Sequence, residues 1–220
     1  MAPLKEFAWS YSKLKNFETC PKRHLEVDIK KSFVEDTENL KWGNSAHDAL
    51  AKACAGKAPL PDDFNAFQKW IDAVRGGPGQ LLVEQKYAIK RDFGPCTWFD
   101  HKTWYRGIAD VVRVSGQVAL AIDWKTGKVL SDSVQLMLMA QCIFTHFPEV
   151  QRVRTEFVWL AHDCTTPEVY SRQDVADGWV ALLPRVQRLE QASKDQSYPP
   201  KPGRLCKNWC PVSSCPHNGK

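Results

Sequence analysis

The chain has 220 residues, 43% of them hydrophobic and 11% aromatic, with a formal net charge of +5. That suits one domain with a conventional core and excludes disorder as a description of the whole chain. No stretch approaches the roughly 18 consecutive apolar residues of a membrane helix, and MAPLKEFAWSYSKLK has no apolar run after its first lysine, so a cytoplasmic protein without a classical export signal is expected. The mild basic excess permits a polyanionic partner without requiring one.

From Ser12 to about Lys31 the apolar residues Leu14, Phe17, Leu25, Val27 and Ile29 predict a helix capped by Ser10 or Ser12 and interrupted by Pro21, with Cys20 at the kink. Residues 42–55 and 62–75 predict two more helices, the second carrying Phe64, Phe67, Trp70, Ile71 and Val74. The middle of the chain changes period: 81–90, 104–114, 117–124 and 153–161 are rich in β-branched and aromatic residues and read as strands. An apolar helix over 132–147 lies between the third and fourth strands, and a further helix runs from Asp174 to about Lys194. This order predicts an α/β (α+β mixed) fold with a mixed sheet flanked by helices, one domain over 1–220. Its helical part spans about 10–76, its sheet core about 80–195, and residues 199–220 form a tail too poor in aliphatics to fold alone.

Ser115-Gly116 reads as a two-residue hairpin turn that sets Val114 opposite Gln117. Under that register Ile108, Asp110 and Val112 share a face with Ala119, Ala121, Asp123 and Lys125. Asp110 and Asp123 become diagonal neighbours roughly 7 to 8 Å apart at Cβ. Two carboxylates and a lysine on an alanine-lined face are costly to bury unless a cation and a substrate compensate them. A solvated sheet face is the plain alternative for each residue alone, but VALAIDWKTGK puts its acid at the end of an apolar strand, where sites are usually built.

Eight cysteines add a second signal. Cys54, Cys96, Cys142 and Cys164 read as reduced and mostly buried. Cys206, Cys210 and Cys215 cluster in the tail, Cys20 stands alone near the start, and the clustering calls for a metal.

G-I-A-D (107–110) followed by I-D-W-K-T-G (122–127) resembles the PD-(D/E)XK nuclease motif, in the version carried by RecB-type exonucleases and CRISPR-associated adaptation nucleases. Gly43-Asn-Ser-Ala-His47 resembles that family's G-x-x-x-H, Glu84 its acidic residue on the first core strand, and Gln135 its glutamine on the following helix. Met139 stands where the family commonly has tyrosine. The resemblance implies a restriction-endonuclease-like core that hydrolyses phosphodiesters. Asp110, Asp123 and the backbone carbonyl of Trp124 would hold Mg²⁺ or Mn²⁺, with His47 and Glu84 completing the site. Lys125 would orient water or neutralise charge, and Gln135 would position DNA or the lysine.

The two ends of the chain also resemble the iron–sulfur subset of this family, in which one N-terminal and three C-terminal cysteines ligate a [4Fe-4S] cluster. Cys20, Cys206, Cys210 and Cys215 would be those ligands, in a C-x₃-C-x₄-C tail where C-x₂-C-x₅-C is commoner. Zinc is the competing metal, since His217 lies close by. Either would be a structural clasp joining the termini, and it would gather Lys13, Lys15, Lys22 and Arg23 with Lys201, Arg204, Lys207 and Lys220 into a phosphate-tracking groove. For Trp104 and Trp209 core packing is the expectation, ahead of base stacking. The function expected is a metal-dependent exonuclease acting on DNA, single-stranded or with free ends, in recombination, repair or phage DNA processing. A non-catalytic nucleic-acid-binding module and a structure-specific endonuclease are the alternatives.

Overall fold

A computed structural model describes residues 7–33, 37–130 and 132–219; Lys220 lies outside them. Among these residues a six-stranded sheet has the order β2-β1-β3-β4-β5-β6. The strands are β1 (Gln80–Ile89), β2 (Pro95–Cys96), β3 (Tyr105–Ser115), β4 (Val118–Lys125), β5 (Arg152–Trp159) and β6 (Cys164–Ser171). All neighbours are antiparallel except β4 and β5. A parallel pair needs a crossover, and α5 (Ser133–His146) supplies it. This is a mixed α/β fold, as the sequence predicts.

Helices cover both faces. On one, α5 and α6 (Arg172–Lys194) bury Leu136, Leu138, Ile143, Trp179 and Leu182 against Val112, Ala121 and Phe157. On the other, α3 (Glu38–Cys54) and α4 (Gln68–Arg75) bury Ala46, Leu50, Ile71 and Val74 against Val111, Ile122 and Trp124. At the start, α1 (Tyr11–Thr19) is capped by the Ser10 side chain, and Cys20 breaks it from α2 (Pro21–His24), with Pro21 in the first turn where its missing N–H costs nothing. Among the described residues no helix is long and apolar enough to cross a membrane.

Three expectations are corrected. The 62–75 helix begins as a 3₁₀ turn over Asp62–Phe67. β6 was not foreseen: Pro167 argues against a strand, yet β6 is the edge strand, where a residue without N–H is tolerated. The hairpin turn is Gly116-Gln117, with Gly116 in the left-handed region (φ +56°), so Ser115 pairs with Val118 and Val112 with Ala121. This register differs from the expected one by two residues, which preserves which side chains share a face, because alternation has period two.

Alternation itself fails in one place. In β3, Val112 and Val114 pack on the α5 side, as do Tyr105 and Ala109, an impossible set for one regular strand. In β1, Leu82 faces the α5 side while Leu81 and Val83 face the α3 side, yet Tyr87 and Ile89 return to the α5 side. The phase changes at Glu84 and Asp110, the positions between the partners Val83↔Val111 and Gln85↔Ala109. Glu84 has φ +51°, a left-handed backbone that turns the strand over. Ile108 is therefore 44% exposed rather than part of the Asp110 face.

Gly79 (φ +93°) enters β1, and a Cβ on it would stand 2.1 Å from the Val114 carbonyl oxygen. Gly79→Ala should destabilise the protein by more than about 1 kcal/mol in urea unfolding; an unchanged midpoint would contradict this strand entry.

Candidate active site

The β3–β4 ladder ends at Val111↔Ile122, while β4 stays paired with β5 as far as Lys125. Beyond that point the strands part, and the Trp124 N–H loses its strand partner. Asp110 replaces it: its Oδ2 accepts from Trp124 N at 2.7 Å. One more step of the register sets Asp110 beside Asp123, and both are buried, 8% and 6% exposed. On α3, Gly43 allows close approach to the end of β4, since a Cβ there would lie 3.0 Å from Thr126 Oγ1. One helical turn on, His47 Nδ1 lies 3.4 Å from Asp110 Oδ2. That carboxylate raises the imidazole's pKa against the opposing effect of burial.

Asp123 is held from the opposite face. Gln135, in the first turn of α5, donates to Asp123 Oδ1 at 2.8 Å and accepts from Lys125 Nζ at 3.1 Å. Lys125 Nζ lies 2.5 Å from Asp123 Oδ2 and 4.8 Å from the Phe157 ring centroid. Apart from that ammonium, the oxygen has no polar partner among the described residues. Burial, with Asp110 adding to it and Lys125 opposing, pushes the Asp123 carboxyl up to about 6. Glu84 is exposed on its reversed backbone opposite Asp110, and its carboxyl is also raised, chiefly by burial of part of its surface and then by Asp110.

Among the described residues no three His, Cys, Asp or Glu side chains form a ready-made ion cage. Two buried carboxylates, one with an oxygen lacking a hydrogen bond, nevertheless form a hard donor set that suits an ion keeping several of its waters. Beside Lys125 and Gln135 opens a cavity of about 820 Å³, also lined by Lys13, Trp98, Arg106, Lys128 and Met139. Sequence reasoning missed Trp98, which lies on a loop with no motif of its own, and Arg106 and Lys128, which flank the G-I-A-D and I-D-W-K-T-G motifs without belonging to them.

A family model of the PD-(D/E)XK nuclease superfamily matches residues 8–216. The chain belongs to the PD-(D/E)XK nuclease superfamily. No curated protein matches its sequence. Among solved structures, a "putative exonuclease" from Eubacterium rectale is 11% identical over 93% of this chain and 87% of its own, with a TM-score of 0.58, which makes the two similar in fold. A second solved protein, 16% identical over 97% of this chain and 88% of its own, superposes at a TM-score of 0.43, too low to bear on the fold.

In this nuclease-family chain the four cysteines of the two ends border one cavity, and among the described residues no three of them group as an ion site. Cys20, Cys206, Cys210 and Cys215 line one cavity of about 190 Å³ together with Lys22, Arg23, Arg204 and His217. The Lys201 N–H donates to Cys20 Sγ at 3.3 Å and the Gly203 N–H to Cys206 Sγ at 3.4 Å. All eight cysteines are free thiols, and Cys164 is exposed, because it opens the edge strand β6 rather than entering the core. Of the basic residues, Lys13 lines the large cavity, whereas Lys22, Arg23 and Arg204 line the cysteine cavity. Lys22 is paired with Glu26 at 2.9 Å, and Lys207 lies exposed on α7 (Leu205–Asn208). Trp104 packs in the core against Trp9 and Trp179, while Trp209 is 73% exposed, because the thin tail has no core to receive it.

A carboxyl whose folded pKa is raised holds its proton more tightly in the native state, so its stabilising effect is complete below the unfolded value near 3.8 and is lost as pH rises through about 6. In metal-free protein the urea midpoint should therefore fall between those pH values, and Asp123→Asn should flatten the fall. Identical pH profiles for the two proteins would contradict the burial assigned to Asp123.

Proposed function

We propose that the chain is a metal-dependent deoxyribonuclease, one nuclease domain over residues 1–220, that hydrolyses DNA from its ends in recombination, repair or phage DNA processing. The observation that carries this reading is the meeting of Asp110, Asp123 and Lys125 where β3 and β4 part, in a chain of a nuclease superfamily. Asp110, Asp123 and the Trp124 carbonyl would hold Mg²⁺ or Mn²⁺, with His47 and Glu84 beside them; such an ion, when bound, supplies a water of lowered pKa and positive charge at the phosphate. The protein's own groups do the rest. Water adds across one P–O ester bond: its oxygen bonds to phosphorus as the bond to the leaving oxygen breaks. Lys125 carries positive charge at the site, where it can orient that water or offset charge building on the phosphate oxygens. Gln135 bridges Lys125 and Asp123, so neither side chain swings freely, and the geometry is set before substrate arrives.

The cysteine quartet is read as the ligand set of a [4Fe-4S] cluster. What supports this reading is that the four thiols line one cavity between the two ends of the chain. Its role is a clasp between Cys20 and the tail.

Asp123→Ala and Lys125→Ala should each lower DNA hydrolysis by about a hundredfold or more while circular dichroism stays that of the wild type; undiminished cleavage by purified Asp123→Ala would falsify the assignment. Linear end-labelled DNA should be degraded with Mg²⁺ or Mn²⁺ and spared with EDTA, and covalently closed circles should survive. Circles cut as fast as linear strands would make the enzyme an endonuclease. Anaerobically purified protein should be brown and contain iron, and Cys206→Ala should lose both; stoichiometric zinc in iron-replete material would replace the cluster.

A further inference from the structure

The cavity beside Lys125 and Gln135 has a consistent chemistry. Its lining holds Lys13, Lys15, Arg106, Lys125 and Lys128 against a single acid, Asp132. That acid is already engaged, by the Tyr11 hydroxyl and by Lys15 at 3.3 Å. Lys128 is exposed and, among the described residues, makes no ion pair. The Arg106 Nε donates to the Trp98 carbonyl at 2.8 Å, and its terminal amino groups have no acceptor among the described residues.

Trp98 differs from the other aromatic residues that line the cavity. Trp9, Tyr87, Tyr105, Phe157 and Trp159 are buried in the core, and Tyr11 is tied to Asp132. Trp98 belongs to neither core cluster, and its ring contacts among the described residues are with cations: Arg106 at 5.6 Å and Lys86 at 5.8 Å from its centroid. The segment that presents it is braced. The Asp100 N–H bonds to the Thr97 carbonyl at 3.1 Å, the Thr103 N–H to the Asp100 carbonyl at 3.1 Å, and the buried Thr103 hydroxyl to the Thr97 carbonyl at 3.2 Å. Phe99, the next residue, is 87% exposed. A half-buried indole with cations at its ring, on a braced loop at the mouth of a basic cavity, suits an unpaired base with its flanking phosphates. The volume is of the size that a few nucleotides would fill.

We infer that this cavity binds the unpaired nucleotides next to the bond to be cut, with a base stacked on Trp98 and the adjoining phosphates on Arg106 and Lys128. The inference deepens the nuclease reading of the Asp110–Asp123 site and rests on it for the position of the scissile bond. Its consequence is selection for single strands or frayed ends at the binding step.

The test is fluorescence-anisotropy binding of a labelled short oligothymidylate, and of a duplex hairpin, to the full chain in EDTA. Trp98→Ala should weaken oligothymidylate binding by about 5- to 150-fold, Trp98→Phe should retain most of it, and hairpin binding should not change. Wild-type affinity for oligothymidylate in folded Trp98→Ala overturns the inference, as does equal loss in the alanine and phenylalanine variants. A wild-type protein that binds single strands through Trp98 yet leaves them uncut with Mg²⁺ or Mn²⁺ keeps the platform and overturns the nuclease reading; cleavage with binding indifferent to Trp98 does the reverse.

Discussion

Where β3 and β4 separate, the Trp124 amide would be left buried without an acceptor, a cost of about 1–3 kcal/mol. The Asp110 carboxylate fills that vacancy at 2.7 Å, and the register sets it beside a second acid, Asp123. Burial then sets the character of the site. Asp123 is 6% exposed beside Asp110, and the pair is tolerable only because Lys125, Gln135, His47 and the Trp124 N–H supply charge and donors from two helices and a strand. Two like charges in low dielectric form a place that a divalent cation would relieve.

The same seam explains the backbone of its neighbours. Glu84 adopts a left-handed conformation that a glutamate rarely takes, opposite Asp110, and the alternation of both β1 and β3 reverses there. Strain of this kind persists where the surroundings impose it. Here they are two cores of different origin, α5 and α6 on one side and α3 and α4 on the other, each claiming side chains from the same strands.

The tail depends on different physics. It contributes little to either core: Val212 is buried, Tyr198 just before it packs near His24, and its further contacts include short-range backbone turns such as Trp209 N–H to the Leu205 carbonyl, Asn218 side-chain bonds to the Cys210 and Val212 carbonyls, and N–H bonds to the Cys20 and Cys206 thiols. Such a segment gains most from a cross-link, because closing a long loop removes many conformations from the unfolded chain. Lys22, Arg23 and Arg204 line the cysteine cavity, and Lys13 and Arg106 line the large basic cavity.

How much of this was legible in the sequence varies with the range of the interaction. Apolar periodicity located α1, α3, α5, α6 and the four central strands, because each buries one face or both against neighbours near in structure. The side-by-side placement of Asp110 and Asp123 was also legible: a register error of two residues leaves parity intact, so the two acids share a neighbourhood under either turn. β6 was hidden, because an edge strand needs no strong pattern and tolerates Pro167. The reversal at Glu84 and Asp110, and with it the exposure of Ile108, has no local signal, since it arises from competition between two cores that only the folded chain brings together. Trp98 and Arg106 were likewise unreadable: an indole in a loop resembles any other until tertiary packing decides that the core has no place for it and that a basic cavity does. The sequence determined which residue types could carry the chemistry, because strand and helix periods are local. The tertiary structure alone decided which of them share a cavity, because a cavity is made by elements far apart in the chain.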